Sequence, residues 1–255
     1  MTGLRAVLLD LDDTLLPDSG AFLAAAAALA DELGAPPELA EAVRRAARTA
    51  WRAGPHFTWF QTIGVSSWEG LWAPLGGADG RMPAIRAWAS GYRRSAWSEA
   101  LSACGLGDAL AERAADGFAG HRQAACAPYP DALPALRRLR EAGLATVIVT
   151  NGMADLQRLK AEHAGLLEQV DGFVVSGDVG AGKPDPRVFQ AALERAGARA
   201  DQTLMVGDNP IRDVAGAQRL GIRTAWLDRD GGDDCGVVAD HRITTLAALP
   251  LLPTP

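Results

Sequence analysis

The chain has 255 residues, of which 48% are hydrophobic and 22% are charged, and its net charge at pH 7 is −6. This composition is typical of a soluble globular protein with one large domain or with a core and a smaller second domain. The acidic balance argues against a surface for a nucleic-acid polymer or an anionic membrane. A small anionic substrate stays allowed, because a site can be locally positive in an acidic protein.

The longest apolar run, Ala21 to Ala30, is too short to span a bilayer. The three cysteines, Cys104, Cys126 and Cys235, are odd in number and lack metal-ligand spacing, so we expect reduced thiols. No secretory pattern precedes the first predicted strand. We therefore expect a cytoplasmic protein without a membrane-spanning segment, present as a monomer or a homodimer.

The first predicted element is a buried strand that ends in carboxylates. Ala6 to Leu9 is an apolar run of strand length, and Asp10, Asp12 and Asp13 follow it. Asp10 and Asp12 are two residues apart, so their side chains project to the same side while the backbone is extended. Facing carboxylates at the end of a buried strand need compensation, and Mg²⁺ prefers such oxygen ligands. A turn or a helix cap is the structural alternative.

Residues 17–127 are predicted to be helical and to contain no strand. Helices are predicted over Phe22–Leu33, Glu38–Ala53, Met82–Ala103 and Asp108–Ala125. The segment 56–80 is predicted to be irregular, because tryptophans and phenylalanine alternate there with glycine and proline.

Helices and strands alternate after Pro128. Helices are predicted over Ala132–Ala142, Ala154–Glu162, Pro186–Ala196 and Ile211–Leu220, and strands over Ala145–Val149, Phe173–Val175, Thr203–Val206, Arg223–Trp226 and Asp240–Ile243. This alternation predicts a parallel sheet with helices on both faces, to which the amino-terminal strand also belongs. We therefore expect an α/β fold: a Rossmann-like parallel sheet core from residues 1–16 and 128–255, with an inserted all-helical cap at 17–127.

Polar residues follow four of the predicted strands, at the edge where parallel sheets bind ligands. They are Asp10 and Asp12 after the first strand, Thr150 and Asn151 after the second, Lys183 after the third, and Asp208 and Asp213 after the fourth. Acids, a lysine and a hydroxyl at one edge could hold Mg²⁺ and a phosphoryl group together. Taken singly, each motif is also compatible with a turn, a solvated lysine or a helix cap.

In order and spacing, these motifs resemble the haloacid dehalogenase superfamily, in the branch whose helical cap is inserted between the first and second motifs. The resemblance covers essentially the whole chain, although the cap matches only in position and helical character. The motifs Thr150-Asn151-Gly152 and Lys183-Pro184-Asp185-Pro186 are most similar to those of nucleotidases and of acylneuraminate, sugar or phosphoglycolate phosphatases.

The resemblance implies a role for each acid. Asp10 would be the nucleophile that becomes an aspartyl-phosphate, and Asp12 would be the general acid and base. Mg²⁺ would be held by Asp10, the backbone carbonyl of Asp12 and Asp208, with Asp213 close by or acting through water.

The resemblance also implies a phosphate site. Thr150 and Lys183 would bind the phosphoryl oxygens, helped by backbone N–H groups at Asp12 or Asp13 and at Asn151. The implied function is a Mg²⁺-dependent phosphomonoesterase that acts on a small phosphorylated metabolite, either a sugar phosphate or a nucleotide.

Other functions are compatible with parts of this pattern. A phosphomutase of the same family and a non-catalytic phosphoryl-accepting or binding protein remain alternatives. The run 177–183 has the start of a phosphate-binding P-loop, but Pro184 stands where that motif needs Ser or Thr. In receiver domains the acid pair precedes the acceptor, whereas here the acceptor comes first. Dehalogenases of the family do not need the second acid, Asp12.

Substrate choice is expected to belong to the cap. Aromatic and cationic side chains that could stack on a ring or meet a second anionic group are Arg44, Trp51, Arg52, His56 and Trp59. The alternative for the tryptophans is that they fill the core of the helical part.

Overall fold

The computed structural model describes residues 3–77 and 79–249. The chain divides into two compact units. The sheet unit contains the segments up to Pro17, Ala127–Asn151 and those from Ala161 onward; the helical unit contains Asp18–Cys126 and Gly152–Lys160. The helical unit therefore includes a short segment after the second strand that the sequence analysis assigned to the core.

The sheet unit is built on a parallel sheet. Within the described residues its strands are β1 (Ala6–Leu9), β2 (Ala145–Thr150), β3 (Gly172–Val175), β4 (Thr203–Gly207), β5 (Arg223–Leu227) and β6 (His241–Ile243). Their order is β3-β2-β1-β4-β5-β6, and every pairing is parallel. Since the strand order reverses at β1, ligands are expected outside the carboxyl ends of β1 and its neighbours. The predicted α/β fold class is confirmed.

The helices agree with the prediction over most of their length. In chain order they are α1 (Asp18–Leu33), α2 (Leu39–Ala53), α3 (Phe57–Ile63), α4 (Ser67–Gly70), α5 (Met82–Ala103), α6 (Ala111–Ala124), α7 (Ala132–Glu141), α8 (Ala154–His163), α9 (Ser176–Val179), α10 (Pro186–Ala196) and α11 (Gly216–Gln218). A π-helical stretch, Pro210–Ala215, precedes α11.

The prediction of an irregular segment at 56–80 is wrong in part, because α3 and α4 lie there. Helix α4 begins with a capping box, in which Ser66 accepts from the N–H of Glu69 while Glu69 accepts from the N–H of Ser66. This pair supplies partners for the first turn of a helix that is only four residues long.

Successive residues of β1 face opposite sides of the sheet. Val7 and Leu9 belong to the same apolar cluster as Leu136 of α7, whereas Leu8 packs with Phe189 of α10 in a second cluster. All four residues of β1 are buried. The strand is therefore held between two helical layers, which fixes the position of the carboxylates that follow it.

The helical unit has its own apolar core. Helix α1 packs on α6, and α2 packs on α5. Met153, which precedes α8, and Leu156 in its first turn are buried in this same core. No helix in the described ranges has the length and apolar character needed to cross a membrane.

Candidate active site

Lys183 joins three elements at the carboxyl edge of the sheet. Its ammonium forms ion pairs with Asp10, which directly follows β1, and with Asp213 at 2.7 Å, and it donates to the carbonyl of Val149 in β2 at 2.9 Å. All three charged side chains are buried. The N–H of Asp10 donates to the carbonyl of Val206 in β4 at 2.9 Å, so the sheet itself orients the carboxylate.

The charges of this buried group are mutually dependent. Burial raises the pKa of Asp10, and the carboxylate of Asp213 adds to this, while Lys183 opposes both. Burial alone would lower the pKa of Lys183, but Asp10 and Asp213 outweigh it, so the pKa of the ammonium lies above its ordinary value. Lys183 therefore stays charged and supplies a permanent positive charge beside Asp10.

The acids Asp10, Asp208 and Asp213 form a cluster, each offering one oxygen within 4.8 Å of the others. Burial raises the pKa of Asp208 to about 9, and repulsion by Asp10 and Asp213 adds to the shift. Three oxygen donors whose negative charges repel one another match the ligand set of a hard divalent cation. The residues therefore fit the Mg²⁺ that the sequence analysis expects.

Gly207 allows Asp213 to approach the end of β4. A Cβ atom at Gly207 would lie 2.3 Å from an oxygen of Asp213, which is closer than such contacts occur. Asp213 also accepts from the N–H of Asn209 at 3.0 Å. These two features hold a buried carboxylate in a fixed position between β4 and Lys183.

The second motif is bound to the third by a side chain that contacts the backbone of Lys183. The side chain of Asn151 donates to the carbonyl of Lys183 at 3.0 Å and accepts from its N–H at 2.7 Å. Thr150 is buried, and its hydroxyl donates to the carbonyl of Asn151 at 3.3 Å. The side chain of Asn151 thus positions the loop that carries Lys183, a role that the sequence analysis did not anticipate.

Asp12 and Asp13 lie half-buried on the turn that follows β1. Asp13 has a left-handed backbone (φ 57°), and its N–H donates to the carbonyl of Leu16 at 2.6 Å. This hydrogen bond fixes the turn that carries both acids, and the phosphate contact expected from the backbone of Asp12 or Asp13 stays a prediction.

Two residues that sequence reasoning missed support Asp208. The buried hydroxyl of Thr14 accepts from the N–H of Asp208 at 3.1 Å and lies 3.4 Å from its carboxylate. The indole N–H of Trp226 donates to the carbonyl of Asp208 at 2.8 Å. Trp226 is paired with Gly207 in the sheet register, so its proximity to Asp208 follows from strand order, which the sequence does not reveal.

The cap residues expected to select substrate lie in the helical unit and have different surroundings. Trp51 is buried and stacks on Phe60, with 4.0 Å between ring centroids. His56 and Trp59 also pack against the ring of Phe60. Arg52 is exposed and lines a shallow cavity of about 570 Å³. Arg44 lies over the ring of Trp68, with 5.3 Å from Cζ to the centroid. Trp51 therefore belongs to the core of the helical unit, which was the alternative expected for the tryptophans.

Comparison with known proteins agrees with this site. The family of haloacid dehalogenase-like hydrolases matches residues 4–221. The chain belongs to this family. A phosphoserine phosphatase of Thermus thermophilus is 38% identical over 226 residues, which are 89% of each chain. The predicted resemblance to the haloacid dehalogenase superfamily is confirmed. The prediction of an enzyme is also confirmed, because the family consists of hydrolases and a phosphatase is among the relatives that match over most of the chain.

Other relatives of this haloacid dehalogenase-like hydrolase match in part or in fold alone. An (S)-2-haloacid dehalogenase of Pseudomonas is 32% identical over 126 residues, so the match spans 49% of this chain and 55% of that protein. The crystal structure of the HAD-hydrolase YfnB from Bacillus subtilis, bound to magnesium, has a TM-score of 0.67 at 22% identity and covers 96% of both chains. That likeness concerns the fold.

Proposed function

We propose that the protein is a Mg²⁺-dependent phosphomonoesterase that hydrolyses a small phosphorylated metabolite through an aspartyl-phosphate at Asp10. The observation that carries the proposal is the placement of Lys183, which pairs with both Asp10 and Asp213 at the end of β1. A phosphoryl group needs a nucleophile and positive charge around its oxygens at the same point. Lys183 supplies that charge beside the proposed nucleophile.

Asp10, Asp208 and Asp213 would hold the cation, together with the backbone carbonyl of Asp12, which the family resemblance adds. When bound, Mg²⁺ supplies positive charge that offsets the negative charge of the phosphoryl oxygens. Lys183, Thr150 and the backbone N–H groups of Asp12 or Asp13 and of Asn151 would orient those oxygens.

The reaction would proceed in two displacements at phosphorus. A carboxylate oxygen of Asp10 forms a bond to phosphorus while the bond from phosphorus to the ester oxygen breaks, and protonated Asp12 gives its proton to the departing oxygen. Asp12, now ionised, then removes a proton from water as the water oxygen forms a bond to phosphorus and the bond from phosphorus to the Asp10 oxygen breaks. Inorganic phosphate leaves, and the carboxylate of Asp10 is restored.

Asp12 is also the reason to prefer phosphate chemistry to dehalogenation. An alkoxide that leaves phosphorus needs a proton, whereas a halide leaves as a stable anion. A second acid two residues after the nucleophile serves only the first reaction. We therefore favour a phosphatase, although dehalogenases are among the relatives.

The proposed substrates are small phosphomonoesters, and we propose that the helical unit acts as the cap that selects among them. One relative that matches over 89% of each chain is a phosphoserine phosphatase, so O-phosphoserine joins the sugar phosphates and nucleotides as a proposed substrate. We propose a protein that acts in the cytoplasm as a monomer or homodimer.

The test is phosphate release from O-phosphoserine, sugar phosphates, nucleotides, phosphoglycolate and an aryl phosphate, with MgCl₂ or with a chelator. Asp10→Asn is the blank, because the amide has nearly the same shape and is not a nucleophile. Release that requires Mg²⁺ and is lost in Asp10→Asn supports the proposal. Turnover by Asp10→Asn, or no release from any substrate by the wild-type enzyme, contradicts it.

A further inference from the structure

Arg229 lies beside the candidate active site, yet it belongs to none of the four motifs. It follows β5 by two residues, and its guanidinium forms a two-point ion pair with Asp131, at 2.9 and 3.1 Å. One of the same nitrogen atoms also donates to the backbone carbonyl of Thr14 at 3.0 Å. The arginine therefore joins the turn after β1 to the start of α7.

Asp131 is a fixed anchor for this arginine. One of its carboxylate oxygens accepts from the hydroxyl of Thr245 at 2.7 Å and from the N–H of Leu246 at 2.8 Å. Partial burial works to raise the pKa of Asp131, but the hydrogen bonds outweigh it and hold that pKa below its ordinary value. The carboxylate thus stays ionised and holds Arg229 in place.

Tyr129 restricts the guanidinium further. The Cζ atom of Arg229 lies 3.9 Å from the centroid of the Tyr129 ring, which favours a flat guanidinium over the ring face. The N–H of Tyr129 in turn donates to the carbonyl of Leu15 at 2.9 Å, so the segment 129–131 is joined to the turn after β1 both directly and through Arg229.

Thr14 links Arg229 to Asp208, one of the three clustered acids. Its carbonyl accepts from Arg229, while its hydroxyl accepts from the N–H of Asp208 and lies 3.4 Å from the Asp208 carboxylate. Thr14 is fully buried, so both contacts are made by a residue with little freedom to move. A shift of Arg229 would therefore move Asp208 relative to Asp10.

We propose that Arg229 is a positioning residue, which holds the turn 10–14 against Asp208 so that the nucleophile and the cation-binding carboxylates keep their separation. This inference rests on the proposed function. Lysine cannot replace arginine here, because two acceptors in different directions require the planar fork of a guanidinium.

The test compares Arg229→Met and Arg229→Lys with a matched control, Arg138→Met. Arg138 is an arginine of the same unit that also donates to a backbone carbonyl, that of Ala247 at 2.8 Å. For Arg229→Met we expect kcat to fall about 100-fold while KM changes little, since misplacement by about 1 Å can cost that much. We expect Arg229→Lys to recover only part of the loss, and Arg138→Met to retain wild-type kcat.

A second readout needs no turnover. Calorimetric titration with MgCl₂ alone should show weaker binding by Arg229→Met, about tenfold, because Asp208 is no longer held beside Asp10. Arg138→Met should bind Mg²⁺ as the wild type does. If Arg229→Met does not fold, Asp131→Asn serves instead, because it keeps the size of the anchor and removes its charge. We expect it to lower kcat and to weaken Mg²⁺ binding relative to Arg138→Met, and values equal to those of Arg138→Met would overturn the inference.

With the Arg229 variants, two results would overturn the inference. One is an Arg229→Met enzyme whose kcat and Mg²⁺ binding match those of Arg138→Met. The other is full recovery in Arg229→Lys, which would mean that charge alone matters. A wild-type protein that releases no phosphate would instead count against the proposed function, while the Mg²⁺ titrations would still decide whether Arg229 positions the carboxylates.

Discussion

Replacing Lys160 by methionine should destabilise the helical unit strongly. Lys160 is fully buried in α8, and its ammonium lies 2.9 Å from Asp18 and 2.9 Å from Glu69. Without it, Asp18 keeps its ion pair with Arg122, whereas Glu69 keeps hydrogen bonds from Ser66 and Gln157 that carry no charge. The variant would therefore leave a buried carboxylate without its cation.

The expected cost is about 3–5 kcal/mol in the free energy of unfolding, as for other buried ion pairs from which one partner is removed. With a urea slope of about 2 kcal/mol per molar, the midpoint should fall by about 2 M. Tryptophan fluorescence is a suitable signal, because six of the seven tryptophans lie within 18–126.

The matched control is Arg113→Met, which removes an ion pair with Glu32 of similar length, 3.0 Å, on the surface of the same unit. Exposed pairs add little, so no measurable shift is expected. Adding Glu69→Gln to Lys160→Met should recover part of the loss, because it removes the uncompensated charge. A midpoint for Lys160→Met equal to that of Arg113→Met would refute this reasoning.

Three further predictions concern acid stability and the active site. Burial would raise the pKa of Asp18, but Lys160 and Arg122 outweigh it and hold that pKa below its ordinary value of about 3.9. The stability that Asp18 contributes is therefore present above about pH 4 and is lost as the pH falls further. Fluorescence measured against pH should show unfolding below about pH 4 for the wild type and at a higher pH for Lys160→Met. Gly207→Ala should displace Asp213 and abolish phosphate release. The control is Gly91→Ala in α5, which should leave activity unchanged because nothing lies within 4 Å of the new Cβ. An active Gly207→Ala enzyme would show that Asp213 can move without loss of activity. Lys183→Ala should lower kcat by about 100-fold or more, and a loss below about tenfold would make the lysine peripheral.

The positions of Asp10, Thr150 and Asp208 could be predicted from sequence, because each directly follows or ends a recognisable apolar strand, and Lys183 follows β3 after a short segment. Their contacts could not. Lys183 and Asp10 are 173 residues apart in the chain, and only the strand order brings them together. The sequence analysis treated Lys183 mainly as a phosphate ligand, whereas here it is also the cation that compensates Asp10 and Asp213.

Helix α8 shows a second limit of pattern reasoning. Gln157 and Lys160 are polar residues of the predicted helix Ala154–Glu162, and both are fully buried here. Their common partner is Glu69, 91 residues away from Lys160. A buried charge can be recognised only when its partner is known, so neither the burial of Lys160 nor the membership of 152–160 in the helical unit follows from local sequence.

The same reasoning separates the residues proposed to carry out the chemistry from those that hold them in place. The proposed catalytic residues lie in short motifs at the ends of strands or, for Lys183, in the loop that follows one, and that placement leaves a local signature. Arg229, Asp131 and Thr245 have no such requirement: an arginine at any point of the chain that reaches both Asp131 and the carbonyl of Thr14 would serve equally well. Positioning residues of this kind are therefore found from hydrogen-bond geometry, and the Arg229 variants test whether that geometry determines the rate.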